Sequence, residues 1–207
     1  CETAAGDSGG TILYHDLFTS GILYLDIGLN LHLLPQQYLP YAGLVGRLLL
    51  ETGTEREDFV SLSQRIGRST GGLRCSIFTS SVVGVSSGAA WLLVRGKAMA
   101  SGIKELFSIC GDILRSARLD DPVRFKQILL EERAAQEQRL VPAGHQLVSS
   151  RLQARFSEAD WADEQMNGVS YLQFLRQLEQ RIQADWESVA ADGGPREQRP
   201  RRQQREQ

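Results

Sequence analysis

An alternating run of apolar residues constrains the fold of this chain more than any other feature. Leu or Ile occupies every second position from Leu23 to Leu31, and Tyr, Asp, Gly and Asn lie between them. A period of two places the apolar side chains on one face of a strand. "GGLRCSIFTSS" (71–81) alternates in the same way, and "WLLVRG" (91–96) has the composition of a half-buried strand. The sequence therefore predicts three strands, with a loop at "VGVSSGAA" (83–90) between the last two.

Helical spacing of apolar residues accounts for most of the remaining chain. It predicts helices over 37–52 and 101–117, and a helix between them that begins at a Thr54/Glu57 capping box. Asp120 or Asp121 caps the next helix, whose first residue is Pro122.

Two further helices are predicted near the C-terminus. The stretch 141–156 has an amphipathic pattern, and Ser170 with Gln173 forms the cap of a last helix. The apolar stripe of that last helix is Tyr171, Leu175, Leu178, Ile182 and Val189.

This order of elements predicts an α+β fold, with a small, mostly antiparallel sheet packed against helices and a helix-rich C-terminal part. We divide the chain into a loose N-terminal segment (1–10), one α+β domain (11–192) and a disordered tail (193–207). The tail holds five Arg, two Glu and no apolar residue, which is typical of disorder. Because residue 1 is Cys rather than Met, we expect a fragment or a processed product, and no targeting segment is visible.

Charge and cysteine content exclude several classes of protein. Outside the tail, 18 basic and 23 acidic residues give a net charge of −5, which disfavours nucleic acid as a partner. No apolar run approaches the ~18 residues that a membrane span requires. The three Cys are widely spaced without a C-x-x-C pair, which argues against a disulfide framework and a structural zinc site.

"GVSSG" (84–88) fits the G-x-S-x-G pattern of serine hydrolases, with Ser86 as the nucleophile. Asp112 and His145 would complete the chain order Ser, Asp, His. That motif requires a strand, a sharp turn and a helix, whereas Ser86 lies between two predicted strands. The context therefore disfavours a hydrolase.

The histidines do not form a recognisable metal motif. His145 shares a predicted helix face with Val148 and Leu152, and we interpret it as a packing residue. Neither His15, His32 nor His145 belongs to an H-E-x-x-H or H-x-x-E-H pair. The run "EERAAQEQR" (131–139) is typical of a solvated helix face.

Six stretches together resemble the presequence protease branch of the pitrilysin/insulinase-type zinc metallopeptidases, in the same order and over roughly residues 11–191. They are "HDLFTSGILYLDIGLNL" (15–31), "LLLETGTEREDFVSLSQRIGRSTGGLRCSIFTSS" (48–81), "LLVRGKAM" (92–99), "RFKQ" (124–127), "GHQLVSSRLQARFS" (144–157) and "EQMNGVSYLQFLRQLE" (164–179).

The resemblance implies two similar halves that close around a chamber for short unfolded peptides. Zinc would be bound by an H-x-x-E-H motif in the N-terminal half, whereas this chain corresponds to the first domain of the C-terminal half. No position here matches that motif, so no catalytic or metal-binding residue is carried over, and the chain itself is expected to hold no cofactor. The implied partners are the catalytic N-terminal half, the last C-terminal domain and unfolded peptides. The implied compartments are the mitochondrial matrix, the chloroplast stroma or the bacterial cytoplasm.

The resemblance also suggests a peptide contact. By pseudo-symmetry, "GGLRCSIFTS" lies where the catalytic half has its substrate-pairing edge strand, which predicts contact through Gly71, Gly72, Phe78, Thr79 and Ser80. An ordinary sheet strand is the alternative for this segment. For the whole chain, two alternatives to a peptidase segment remain: a stand-alone non-catalytic partner of a processing-type peptidase, and a serine hydrolase acting through Ser86.

Overall fold

The computed structural model describes residues 2–5 and 10–186, within which the chain forms five strands and seven α-helices. The strands are β1 (Glu2–Ala5), β2 (Thr11–Tyr14), β3 (Ile22–Asn30), β4 (Leu73–Ser81) and β5 (Gly88–Met99). The helices are α1 (Tyr41–Glu51), α2 (Phe59–Ser69), α3 (Ile103–Ser116), α4 (Pro122–Arg139), α5 (Gly144–Gln153), α6 (Glu158–Asn167) and α7 (Val169–Ala184). Val189 and the predicted tail (193–207) lie outside the described residues. The α+β fold with a helix-rich C-terminal part is confirmed.

The main sheet is antiparallel and has the strand order β3-β5-β4. β5 lies in the middle because β4 turns directly back into it, whereas β3 reaches it only after α1 and α2 have crossed. Every second residue of the central strand is buried against helices: Ala90, Leu92, Val94 and Ala98. The alternation seen in the sequence therefore reflects one covered face and one open face.

Helices cover the sheet in two layers. α1, α3 and α6 contact the strands, and α4 and α7 pack behind α1 and α6. Gly46 lets α1 approach β4 closely, because a Cβ atom at this position would lie 2.9 Å from the Cβ of Cys75. α1 supplies buried side chains to three separate apolar clusters, through Ala42, Leu44, Leu48 and Leu49. It is therefore the central element of the core.

The predicted helix caps are partly confirmed. The Asp121 side chain accepts hydrogen bonds from the backbone N–H of Val123 and Arg124, with Pro122 as the first helical residue. α2 begins later than predicted, since Asp58 caps it. Thr54 does accept from the Glu57 N–H, but its backbone pairs with Ala117, which keeps it outside the helix.

The C-terminal helices differ from the prediction in two ways. A short helix, α6, was not predicted, and Ser157 caps it. α7 begins at Val169 after Gly168, so Ser170 lies inside the helix instead of capping it. The buried carboxylate of Glu164 takes the cap's role, because it accepts a hydrogen bond from the Ser170 N–H.

Other boundaries also shift. The first long helix begins at Tyr41 instead of residue 37, and β5 already begins at Gly88, inside the predicted loop. In the segment expected to be loose, residues 2–5 pair with Thr11–Tyr14 as a small separate hairpin.

The interpretation of His145 as a packing residue is wrong. His145 is exposed on α5, and Val148 and Leu152 on the same face are exposed as well. Leu147, Ser150 and Ala154 are the partly buried residues of this region, so α5 is rotated away from the predicted orientation.

No helix packs on the second face of the main sheet within the described residues. In that same part of the chain, no helix combines the length and apolar character that crossing a bilayer needs. The open face of the sheet and the free edge of β4 are therefore the surfaces to examine for function.

Candidate functional site

The open face of the main sheet carries a graded set of side chains. Four rows cross the strands, and the paired positions define them. They are Tyr24–Lys97, Asp26–Arg95–Arg74, Gly28–Leu93–Ser76 and Asn30–Trp91–Phe78. One end of the face is therefore cationic and the other end is aromatic.

The predicted contact residues at the end of β4 lie near the aromatic row. Phe78 is paired with Trp91 and remains 47% exposed on the open face. Ser80 is paired with Ala89 on the same face, and its hydroxyl donates to the backbone oxygen of Ser81. Thr79 alternates to the helix-covered face, so its side chain is directed away from Phe78 and Ser80.

The two predicted glycines lie at the opposite end of β4. The N–H of Gly71 donates to the Lys97 oxygen at 2.7 Å, and Gly72 adopts φ +103°, a conformation that favours glycine. At ~3.3 Å per residue, Gly72 and Ser80 are about 25 Å apart. The structure therefore places the five predicted residues along one strand and does not gather them into one pocket.

β4 is an edge strand, as predicted. Among the described residues it pairs only with β5, so every second residue directs its N–H and C=O away from the sheet. Such an edge can accept an extended peptide through main-chain hydrogen bonds.

A groove of about 340 Å³ lies where the covered side of β4 meets α1. Tyr171, which is 1% exposed, lines this groove, and its hydroxyl has no hydrogen-bond partner among the described residues. Burial, and next the negative charge of Glu132, raise the pKa of Tyr171. Tyr171 is therefore neutral near pH 7 and can only donate or accept a hydrogen bond.

Arg47 lies at the same groove among three carboxylates. It donates to Glu51 and Glu131 at 2.9 Å and to Glu132 at 3.4 Å. These carboxylates, Glu51 foremost, raise the pKa of Arg47 above its usual value. The prediction that residues 131–139 form a solvated face is therefore wrong for Glu131 and Glu132, which connect α4 to α1.

The described residues do not provide a zinc site. Within residues 2–5 and 10–186, no group of three or more His, Cys, Asp or Glu side chains is placed to hold a metal ion. The three carboxylates near Arg47 face a guanidinium instead. His32 contacts the Gly88 oxygen at 2.9 Å and lies 3.7 Å from Glu158, which is a structural contact at the start of β5.

The position of Ser86 does not support a catalytic triad. Ser86 is exposed in the loop that joins β4 to β5, so a strand and not a helix follows it. Asp112 accepts a hydrogen bond from Arg65 at 2.9 Å, between α2 and α3, and His145 is exposed on α5. No hydrogen bond of the described residues joins any two of these three side chains.

The cationic end of the open face was not predicted from the sequence. Arg74, Arg95 and Lys97 line a depression of about 470 Å³ together with Tyr24, Asp26 and the two glycines. The alternation within β4 and β5 was a usable signal for the face on which these cations lie. Their juxtaposition depends on the register of the β4–β5 hairpin, which local patterns do not reveal.

Comparisons with known proteins agree on one family. The profile of the family of domains associated with peptidase M16, subfamily C, matches residues 2–178. "Presequence protease 1, chloroplastic/mitochondrial" of Arabidopsis thaliana is 40% identical over 190 residues, which cover 91% of this chain and 18% of that protein. "Protein HypA" of Clostridium perfringens (strain 13 / Type A) is 30% identical over 83% of this chain and 18% of its own length.

A vertebrate relative is more distant. "Presequence protease, mitochondrial" of Danio rerio is 20% identical over 84% of this chain and 17% of its own length. The chain thus spans about a fifth of the length of the curated relatives it matches. Since the family profile covers most of the residues, the chain belongs to the family associated with peptidase M16, subfamily C.

Proposed function

We propose that this chain is a non-catalytic segment of a zinc metalloendopeptidase that degrades short unfolded peptides such as targeting presequences. In this role it forms part of the wall of the peptide chamber and packs against the catalytic half of the enzyme. The observation that carries the proposal is the 40% identity to Arabidopsis presequence protease 1 over 91% of this chain, which corresponds to 18% of that protein.

Two structural features support a wall rather than a catalytic centre. The described residues hold no set of metal donors, so the metal-activated water of such a peptidase must be supplied by another part of the enzyme. The main sheet also leaves one face without helices among the described residues, and a surface of this kind can line a cavity.

We further propose that the free edge of β4 contacts extended peptide. Main-chain hydrogen bonds would form along the strand between Gly71–Gly72 and Phe78–Ser80. Such pairing does not require the side chains to share one face, so the inward direction of Thr79 is compatible with it. The exposed ring of Phe78 beside Trp91 offers apolar contact to one residue of the peptide.

A stand-alone non-catalytic partner subunit is the second candidate, and the same features favour it equally. The two differ in whether the catalytic half belongs to the same polypeptide. A serine hydrolase is disfavoured because Ser86 lies in a hairpin loop.

The test is a chimera of Arabidopsis presequence protease 1 in which this chain replaces the 190 matched residues. We expect the chimera to cleave an unfolded fluorogenic peptide and a zinc chelator to abolish that cleavage, because the metal lies outside the exchanged part. The 207-residue chain alone should cleave nothing.

The matched control is Ser86→Ala in the chimera, which should retain full activity. Chelator-resistant cleavage by the chain alone, lost on Ser86→Ala, would refute the proposal in favour of a hydrolase. A folded chimera without any peptidase activity would contradict the role as a wall segment.

A further inference from the structure

We propose that the cationic end of the open face, which we call the cationic corner (Arg74, Arg95, Lys97 and Asp26), binds a carboxylate of an extended peptide. The carboxylate comes from an acidic side chain or from the peptide's C-terminus. The inference deepens the proposed function, on which it rests for the class of ligand. Its test, however, measures binding by this chain alone.

The corner concentrates positive charge in a chain that is acidic overall. Three cations share a single carboxylate there, although the whole chain carries a net charge of −2. Arg74 and Lys97 have no acidic partner among the described residues, and both side chains are exposed. The local excess of positive charge is therefore open to a ligand.

The register makes this arrangement unfavourable without a ligand. Arg74 on β4 and Arg95 on β5 are directly paired and lie on the same face. Like charges at paired positions of neighbouring strands repel each other and destabilise the sheet. Asp26, paired with Arg95 on its other side, lies 3.2 Å from one Arg95 nitrogen and offsets only part of this repulsion. An anion above the two guanidinium groups would remove the remainder.

The shape of the corner also depends on its glycine. The side chain of Lys97 lies across Gly71, where a Cβ atom would come within 2.8 Å of the Lys97 Cγ. A larger residue would displace this stem, so Gly71 lets the ammonium group stay beside the two arginines. Arg95 is held from below, since its Nε is buried, without a hydrogen-bond acceptor in the described part of the chain.

A peptide is the ligand that this location favours. The depression lies where β4 begins, so a chain paired with the free edge of β4 would pass directly beside it. Main-chain pairing would supply affinity independent of sequence, and the corner would select for negative charge at one position.

The test is fluorescence anisotropy with the 207-residue chain and labelled nine-residue peptides, which match the length of β4. The peptides share one uncharged sequence that carries Glu, Gln or Lys at two central positions, each with a free or an amidated C-terminus. We expect the Glu peptide to bind about tenfold more tightly than the Gln peptide at low salt, and the difference to shrink at about 300 mM salt. An advantage that survives amidation identifies the side-chain carboxylate, and one that amidation removes identifies the C-terminus.

Two variants locate the site. Arg74→Gln and Lys97→Gln should each weaken binding of the Glu peptide by about two- to fivefold. Lys126→Gln, on the exposed surface of α4 behind the helix layers, is the matched control and should leave binding unchanged. Arg74→Gln should also raise the melting temperature, because it removes a repulsion. A merely structural role for Arg74 would lower it.

Equal binding of Glu and Gln peptides, or a preference for the Lys peptide, would overturn the inference. So would preferential binding of inorganic phosphate or of a short oligonucleotide, since each would indicate a phosphate-bearing ligand. The outcome is separable from that of the chimera. Loss of carboxylate selectivity with an active chimera defeats this inference alone, and selectivity with an inactive chimera defeats the proposed function alone.

Discussion

Two charged clusters flank β4, and they differ in how completely their charges are matched. On the covered side, Arg47 lies among the carboxylates of Glu51, Glu131 and Glu132, and it joins α1 to α4. On the open side, Arg74, Arg95 and Lys97 have only Asp26 among the described residues. The first cluster holds elements of the fold together. The second opposes folding slightly, which is typical of a surface kept for binding.

The largest effect expected from this comparison is that of Arg47→Met. The substitution leaves three carboxylates close together without a cation, so we expect a loss of about 2–4 kcal/mol in the free energy of unfolding. Urea denaturation at neutral pH measures it. Arg176→Met, which removes an exposed arginine bound to Glu137, is the control and should cost less than about 1 kcal/mol. Equal losses for both variants would show that the Arg47 cluster has no special role.

An intermediate effect is expected for Glu164→Gln, a second matched cluster. Burial acts to raise the pKa of Glu164, but hydrogen bonds from Ser170 and the charge of Arg151 outweigh it and lower this pKa below 4.5. A lowered folded-state pKa gives stability that is present above pH ~4.5 and is lost as the pH falls through the folded-state value. We expect Glu164→Gln to lose about 1–3 kcal/mol at pH 7.

The pH profile tests this interpretation of Glu164. The difference between the wild type and Glu164→Gln should shrink as denaturation is repeated at decreasing pH below about 4.5. A difference that stays constant over this range would mean that the carboxylate charge is not the source of the stability.

The smallest effect has the opposite sign. Arg74→Gln should raise the free energy of unfolding by about 0.2–0.5 kcal/mol, since it relieves the repulsion from Arg95. The same substitution at a matched cation would destabilise the fold. Thermal melts at low and high salt should show the gain fading as salt screens the charges. A loss of stability on Arg74→Gln would end the contrast between the two clusters.

Local patterns in the sequence predicted most of the fold. Alternation identified the three main strands, and Asp121–Pro122 marked the start of α4 correctly. α6 was missed because its ten residues, with two alanines and a terminal Asn-Gly, give no long apolar stripe. The cap of α7 was assigned to Ser170 since the sequence does not reveal that Glu164 turns back to that N–H.

The charged clusters could not be predicted because they depend on distant pairings. Arg47 meets Glu131 across 84 positions of sequence, and nothing near either residue announces the contact. Arg74 and Arg95 are nearer in the chain, but their opposition requires the exact register of the β4–β5 hairpin. A shift by one residue would place Arg74 on the covered face.

The strand order has a consequence for synthesis on the ribosome. β3 finds its neighbour only in β5, whose first paired residue follows about 60 residues later, so the nascent chain carries an unpaired apolar strand for several seconds at ~5–20 residues per second. During that interval, Leu23, Leu25 and Ile27 have no sheet to join. We expect chaperones to bind this segment on the nascent chain and to leave once Met99 has emerged, which site-specific crosslinking to stalled chains of increasing length would reveal.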